Sequence, residues 1–526
     1  MHDLMHTVAT CFEQVAFFYA GGDPKNQASF ENRAKYLDQR TYEREKLADV
    51  LENYHRGLGA GPRTLEQIAW LRQPDCLVVI TGQQAGFLTG PAYTLYKALT
   101  TIKLAAEQSI KLKRPVVPVF WIASEDHDWV EIQEAMILNQ EGKLIACYLP
   151  GEGNGIPVGR LGVPAWEEIV RQIDEALPVS EFKAEILQTL EELTDQATNL
   201  TEWFALILQW LIHDRGLIFF DPLQPEIKKL ALPMYQSILR SHQEVREAFQ
   251  SRTKCWVELG YTPQIQQSGE EVNLFWEVPE RKALLWDENG FYPRGSSGRL
   301  ALEELNSKLQ ESPEQFSSNV VTRPVVQDYL LPTLAYVPGP GELNYWAQLG
   351  GVFAVLGFSM PILYPRLSAV VITGSWQRVM EAEQITVSDV SRGLELQRER
   401  CLVEHDQYDI EQRFTQARSM LELLYQDLMI LEGINPHVPE WIAQNQEKVN
   451  GQLAYLEKKI WQAQRKRCDG RLRKFQQLED GLYPRGIKQE RVLNPLSFLA
   501  RFGWTFIDQL AELPLEFEEQ ELVMER

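Results

Sequence analysis

Two short, continuously apolar runs separated by one helix-length segment constrain this chain more than any other feature. CLVVITG (76–82) ends in glycine, and the segment from Pro91 to Ala106 has helical spacing with proline in its first turn. PVVPVFWIA (115–123) then ends in the polar cluster SEDHD. Strand, helix, strand in that span is a βαβ unit, with parallel strands and a right-handed crossover. Runs of the same kind recur at GLIFFD (216–221), TLAYVPGPGE (333–342) and MPILYPR (360–366), with helical stretches between them. The expected fold class is therefore α/β, built on one doubly wound parallel sheet.

The rest of the chain is organised around those runs. Residues 30–71 read as two or three amphipathic helices with a break at GLGAGPRT. Two regions read as insertions into the sheet: 144–200, punctuated by proline and glycine and then helical, and 254–302, where VNLFWEV and KALLWDENGFY alternate like hairpin strands. The core is assigned to 1–375, an arm to 376–480, and a segment returning to the core to 481–526. In the arm, Ile410, Phe414, Ala417, Leu421, Leu424, Leu428 and Leu431 follow 4-3 spacing. Ile442, Val449, Leu453, Leu456, Ile460 and Ala463 follow it again after GINPHVPE, with Gln446 and Arg467 also on the seam. Two long helices folding back as an antiparallel coiled coil satisfy this pattern, either as a self-contained arm or as one that docks a second subunit.

Composition narrows the function classes. With 526 residues, 44% hydrophobic and 10% aromatic, the chain has ample material for a core, which excludes disorder and low-complexity character. A formal charge of -21 repels polyphosphate unless positive charge is locally concentrated, so no nucleic-acid partner is expected. The six cysteines form no CxxC pair and sit partly in apolar runs, as reduced core thiols do, so no structural zinc or disulfide framework is expected. The N-terminus lacks the basic start of a signal peptide, and no apolar run reaches the ~18 residues of a membrane span, so a cytoplasmic protein without a membrane partner is expected.

Three clusters hold residue types suited to chemistry. In TGQQAGFLTGP (81–91), Gly82, Gly86 and Gly90 recur between a strand and a helix start, where a backbone approaches a ligand closely and N–H groups attract anions. The pattern is neither GxGxxG nor a P-loop. Gln83, Gln84, Thr89, Tyr93 and Lys97 adjoin it, the last two on one helix face. In WIASEDHDWVEI (121–132), Glu125, Asp126, His127 and Asp128 follow a buried strand, where α/β proteins bind ligands. A histidine among carboxylates suits a general base, carboxylates suit magnesium, and an Asp helix cap with a hydrogen-bonded histidine is the structural alternative. The third cluster, 319–348 continued by YPRLS, holds Arg323, Asp328, Gly339, Gly341, Glu342 and Tyr345, then Arg366. Arginines at strand ends with Lys97 favour a small polyanionic substrate. Ser124 and Ser368 lack a nucleophile elbow. The remaining histidines, at 2, 6, 55, 213, 242, 405 and 437, have no metal-ligand spacing, so no metal site is assigned.

TGQQAGFLTGPAYTLYKALTTIKLA, PVFWIASEDHDWVEI, RPVVQDYLLPTLAYVPGPGE and ERVLNPLSFLARFG, in that order, resemble the bacillithiol biosynthesis cysteine-adding enzyme family, and the resemblance runs essentially from end to end. It implies a cysteine ligase that joins L-cysteine to glucosaminyl-malate in the last step of bacillithiol synthesis. It further implies a Rossmann-like core similar to class I nucleotidyltransferases, with connecting-peptide insertions, and a homodimer formed through the coiled-coil arm. The HxGH and KMSKS signatures of those nucleotidyltransferases are absent, and Gln and Thr stand where HxGH would lie.

On this resemblance, amide formation calls for carboxyl activation by ATP (or ADP), with Mg as a candidate companion. Gln84, Gly86, Thr89 and Gly90 are assigned to substrate or phosphate contact through backbone N–H groups. His127, Asp128 or Glu125 would deprotonate the attacking ammonium, and Arg323 and Arg366 would hold malate carboxylates or developing phosphate charge. Tyr483, Arg485, Lys488, Arg491, Asn494 and Phe498 form an alternative nucleotide pocket. A nucleotidyl or glycosyl transferase on the same core, and a non-catalytic coiled-coil scaffold, are the alternatives from other classes.

Overall fold

The computed structural model describes residues 4–277, 280–404 and 406–525. His2, His405 and Val278 of VNLFWEV lie outside the described residues. In chain order the strands are β1 (Leu77–Gln83), β2 (Val116–Ile122), β3 (Glu134–Leu138), β4 (Leu144–Tyr148) and β5 (Ile218–Phe220). They continue with β6 (Glu271–Glu277), β7 (Arg281–Asp287), β8 (Gly290–Pro293), β9 (Phe316–Ser318), β10 (Thr333–Tyr336) and β11 (Ile362–Leu363). Each of the five apolar runs supplies one strand of a parallel sheet ordered β11-β10-β1-β2-β5.

The sheet is buried on both faces, which is why its strands read as unbroken apolar runs rather than alternating ones. Val78, Ile80, Val117 and Val119 pack on one side with Leu343, Val352 and Phe353. Leu77, Val79 and Val116 pack on the other with Leu104 and Ala105 of the helix Tyr93–Leu112. The chain thus leaves β1 over one face to reach β2, and leaves β10 over the opposite face, through the helices Pro340–Trp346 and Gly350–Val355, to reach β11. Because β1 and β10 are neighbours, their connections diverge and open a crevice at their carboxyl ends.

The first compact unit runs to Val371 and regains the chain at Glu490–Met524. Residues before β1 form the helices Leu4–Thr10, Gln27–Leu37, Arg44–Gly57 and Pro62–Leu71. The first insertion begins earlier than its composition shift indicates, as the hairpin β3–β4, and continues through three helices to Ile212. The second begins later, since the helix His242–Glu258 runs through its expected start, and it extends further. Its strands form an antiparallel sheet ordered β8-β7-β6-β9, so that β9, well down the chain, completes it.

The second compact unit is Ile372–Gln489. Its long helix Val438–Leu482 has 45 residues, about 67 Å at 1.5 Å per residue. The helix Ile410–Leu428 runs antiparallel to it, tied by the Arg418–Glu457 ion pair and a 2.6 Å bond from the Tyr425 hydroxyl to Asn445 Oδ1. The seam departs from the heptad reading. Tyr425 is buried in place of Leu424, Gln464 and Cys468 are buried in place of Ala463 and Arg467, and Leu456 and Ile460 are exposed. Buried and half-buried positions recur at 442, 453, 464 and 475 and at 446, 457 and 468, an eleven-residue period. A straight helix of 3.6 residues per turn drifts about 20° per heptad, which moves the contact face on by one residue after three heptads. Met420, Leu423, Ile430, Ile434 and Trp441 are left exposed towards the hairpin end.

His55 ties the early helices to the sheet. Nδ1 donates to Leu51 O and Nε2 accepts the Phe219 N–H, both at 2.8 Å, so the buried ring must be neutral. Burial depresses its pKa to about 4. Below pH 6.5 the unfolded chain binds a proton that the folded state refuses, so stability falls as pH drops toward 4. Between pH 7 and pH 5 this group should cost about 2 kcal/mol. Urea midpoints at the two pH values should differ accordingly in the wild type, and by less in His55→Gln, whose amide retains the acceptor.

Candidate functional site

The crevice is built outward from the ends of β1, β2 and β10. Gly82 and Gln83 close β1, Trp121 is the last residue but one of β2, and Tyr336 closes β10. Gly82 admits no side chain without crowding, since a Cβ there would lie 3.0 Å from the Trp121 carbonyl oxygen. Lys97, one turn into the helix after β1, turns back beneath these ends. Its Nζ donates to Gly82 O at 2.7 Å and to Gln83 Oε1 at 3.0 Å, and it pairs with Glu342. Glu342 also accepts the Gly339 N–H at 2.8 Å and the Tyr336 hydroxyl. Burial pulls the Lys97 ammonium below its ordinary value, and Arg366 and Arg323 add to this against the opposing pull of Glu342. Burial alone would raise the Glu342 carboxyl, yet Lys97, the Gly339 N–H and Tyr336 together hold it below the usual range. With three donors on its oxygens, Glu342 is the ionised partner that the site is organised around.

These groups line a cavity of about 380 Å³. Of the residues expected from sequence, Gln83, Gln84, Tyr93, Lys97, Arg323, Gly339, Gly341, Glu342, Tyr345, Arg366 and Arg491 all face it. Its charge is uneven. Lys97 is balanced by Glu342, and buried Arg366 by buried Glu490 at 2.6 Å. Arg323 lies over the rings of Trp121 and Tyr336 and donates to Gln327 Oε1 at 3.1 Å. Arg491 stands exposed at the rim. Neither has a carboxylate partner among the described residues. Arg366 Nε and Trp121 Nε1 are buried donors with no hydrogen-bond partner among the described residues. The result is an anion-attracting cleft with unspent donors. Burial and the Glu131 charge push the Tyr93 phenol up to about 12, so it stays protonated and its hydroxyl remains a donor.

A second cavity of about 730 Å³ adjoins the first, sharing Trp121, Ala123, Val320 and Arg323. Glu125, Asp126 and His127 line it. Consecutive turn residues point in different directions, and the EDHD run divides its work accordingly. Glu125 is buried and paired with Lys228. Asp126 accepts Gln84 Nε2 at 2.6 Å and the His127 N–H at 2.8 Å. Asp128 is a correction: it faces neither cavity and caps the helix Trp129–Ile132 by accepting the Glu131 N–H.

Other expectations are also corrected. Gly86, Thr89 and Gly90 do not reach the cleft, and their N–H groups are spent on Gln84, Gly86 and Phe87 carbonyls. The loop is a tight turn in which a Cβ on Gly86 would lie 3.2 Å from Gly90 Cα, and Leu88 and Thr89 take positive φ. Buried Asn494 holds it by donating to Leu88 O and Gly90 O, both at 2.8 Å. Asn494 is thus a structural clamp, and Phe498 is core packed on Phe506. Tyr483, Arg485 and Lys488 belong to the second unit, and Arg491 lines the first cavity. Asp328 is buried and paired with Arg33 at 2.5 Å, away from both cavities, because a buried carboxylate needs a counter-charge wherever it lies. Sequence reasoning passed over Trp121, Tyr336 and Glu490, and also Glu131. Glu131 is exposed at the rim, yet desolvation by the cleft walls and the charges of Asp128 and Asp126 raise its carboxyl against a hydrogen bond from Gln84.

A family model described as the bacillithiol biosynthesis BshC N-terminal Rossmann-like domain matches residues 2–367, and one described as the C-terminal coiled-coil domain matches residues 369–526. The chain is 35% identical over 514 residues to a protein of Symbiobacterium thermophilum, covering 94% of this chain and 92% of the relative. It is 34% identical over 516 residues to one of Salinibacter ruber, covering 97% and 93%. It is 32% identical over 515 residues to one of Bacillus cytotoxicus, covering 96% and 93%. All three carry the name "Putative cysteine ligase BshC".

The buried pair makes a testable energetic claim. Lys97→Met or Glu342→Leu alone strands the partner's charge and should cost about 3–5 kcal/mol, whereas the double variant Lys97→Met/Glu342→Leu should cost less than the sum. Denaturant unfolding of the four proteins measures the coupling, and strictly additive losses would contradict it.

Proposed function

The chain belongs to the bacillithiol biosynthesis BshC family, and from that membership and the chemistry of the cleft we propose that it is a cysteine ligase forming the amide bond between L-cysteine and the amine of glucosaminyl-malate. One observation supports this reading above the others. The first cavity has two arginines, Arg323 and Arg491, with no carboxylate partner among the described residues, beside a third, Arg366, whose Nε is unspent. A malate dicarboxylate matches that charge and donor geometry. A non-catalytic scaffold has no need of the cleft.

Joining a carboxylate to an amine near neutral pH requires the cysteine carboxyl to be activated. In this reading ATP supplies that activation when bound, and Lys282 and Arg294 of the second cavity would hold its phosphates. The N–H groups of Gly86, Thr89 and Gly90 are engaged within their own turn and are not offered to a phosphate. Magnesium would enter with the polyphosphate, since among the described residues no group of three His, Cys, Asp or Glu side chains is placed to hold a metal ion. The attacking nitrogen is bound as an ammonium and must lose a proton. Glu131, at the rim of the first cavity with its carboxyl raised, is the base in this scheme.

Purified protein given glucosaminyl-malate, cysteine, ATP and magnesium should yield the thiol product by mass spectrometry, and absence of product with every component present counts against the ligase reading. Arg323→Ala should lose about tenfold or more in kcat/KM, mostly through KM for the malate substrate. A base acts only when ionised, so activity should rise with pH through a value above the ordinary glutamate range. That acidic limb should vanish in Glu131→Gln, and its persistence there would remove Glu131 from the scheme.

A homodimer through the arm is part of the proposal. Met420, Leu423, Ile430, Ile434 and Trp441 expose an apolar patch on the helical hairpin, and a second copy can cover it with its own identical patch about a twofold axis. Leu423→Lys/Ile430→Lys should shift the mass in light scattering from dimer to monomer, and an unchanged mass would overturn this interface.

A further inference from the structure

The antiparallel insertion sheet places one arginine against the EDHD turn. Arg281, first residue of β7, stacks its guanidinium on the Phe275 ring at 3.7 Å and donates from Nε to Ser317 Oγ at 3.0 Å. These two contacts, from β6 and β9, fix the plane of the guanidinium. Its Nη1 then lies 2.9 Å from His127 Nδ1. A guanidinium has five donors and no acceptor, and it keeps its proton in proteins. Nδ1 must therefore present its lone pair to Arg281, and the proton of the neutral ring sits on Nε2.

The other charged groups around the ring agree with this assignment. Asp126 Oδ1 is 3.8 Å from Nδ1, beyond hydrogen-bond reach, and it already accepts the His127 N–H. Glu125 is committed to Lys228, and Glu277 to Arg160. Phe275 meets the imidazole edge-on, with ring centroids 6.3 Å apart. His127 is part of the second cavity's lining, and Nε2 has no hydrogen-bond partner among the described residues.

We propose that Arg281 is a positioning residue that holds His127 in the Nε2–H tautomer, making His127 a hydrogen-bond donor to a substrate oxygen in the second cavity and not a proton acceptor. This rests on the ligation reading only for the identity of that oxygen. It is the carbonyl oxygen of the activated carboxyl, which gains negative charge as the amine adds and loses it when the activating group departs with the bonding electron pair. A donor fixed beforehand stabilises that charge as it develops.

Two measurements test the two halves separately. In protein labelled with 15N-histidine, long-range proton–nitrogen spectra should show His127 with Nδ1 bare and Nε2 protonated, identified by the signal lost in His127→Gln. A protonated Nδ1 would overturn the positioning claim without any variant of Arg281. In Arg281→Met, with Ser317→Ala as a milder disturbance of the same guanidinium, the ring should redistribute between tautomers. Turnover reads the other half. His127→Gln, whose amide N–H reaches the position of Nε2–H, should keep kcat within about tenfold, while His127→Asn should lose about 10²–10³ at nearly constant KM. Equal losses in both would overturn the donor role. Wild-type protein without turnover would overturn the ligation reading and the named target, while the spectrum would still decide the tautomer.

Discussion

A buried ammonium at the carboxyl edge of the sheet dictates the arrangement around it. Lys97 reaches back from its helix under the ends of β1 and β10, where neither strand has a counter-charge of its own. Taking a lysine out of water is costly unless a carboxylate meets it with its remaining lone pairs filled. Glu342 meets that demand from the far side of the crevice, and a backbone N–H and the Tyr336 hydroxyl complete its shell. The pair spans the divergence between two connections that leave the sheet on opposite faces, so it determines how closely the walls approach. Gln83, Tyr93, Arg323 and Arg366 are arranged about it.

The cleft joins two environments of different character. On the β10 side, positive charge outnumbers negative and donors remain unspent. On the insertion side, each carboxylate of the EDHD turn is engaged by a lysine, a glutamine or a backbone N–H, and the histidine is aimed by an arginine from another sheet. Arg323 belongs to both, with aromatic rings under its guanidinium. Two reactants brought into adjoining chambers that share one wall come within reach of one another, which is what a bond-forming step between a carboxyl and an amine requires.

The fold was largely legible because its signals are local. Strands buried on both faces must be apolar throughout, so CLVVITG and its four counterparts declared themselves. Much of the cleft was legible too, since residues at the ends of such strands converge wherever the sheet reverses its winding. What failed was anything decided by a distant partner. The glycines of 82–90 are as compatible with a tight turn as with a phosphate cradle, and the choice depends on Asn494, some four hundred residues away. Asp328 looked available until Arg33 claimed it. Arg281 lies in a region whose alternating pattern announces a hairpin but not what the hairpin covers. On the arm, the heptad reading followed spacing correctly at first and then lost phase, because a straight helix keeps its own period.

The clamp on the 86–90 turn also has a temporal consequence. Asn494, Glu490 and Arg491 leave the ribosome after the entire arm, whereas the strands they complete emerge long before. At about 5–20 residues per second, the nascent sheet waits many seconds for the asparagine that closes its loop and the glutamate that neutralises Arg366. Until then the chain can carry a folded scaffold with an unfinished crevice, and competence for chemistry waits for the segment that follows the arm.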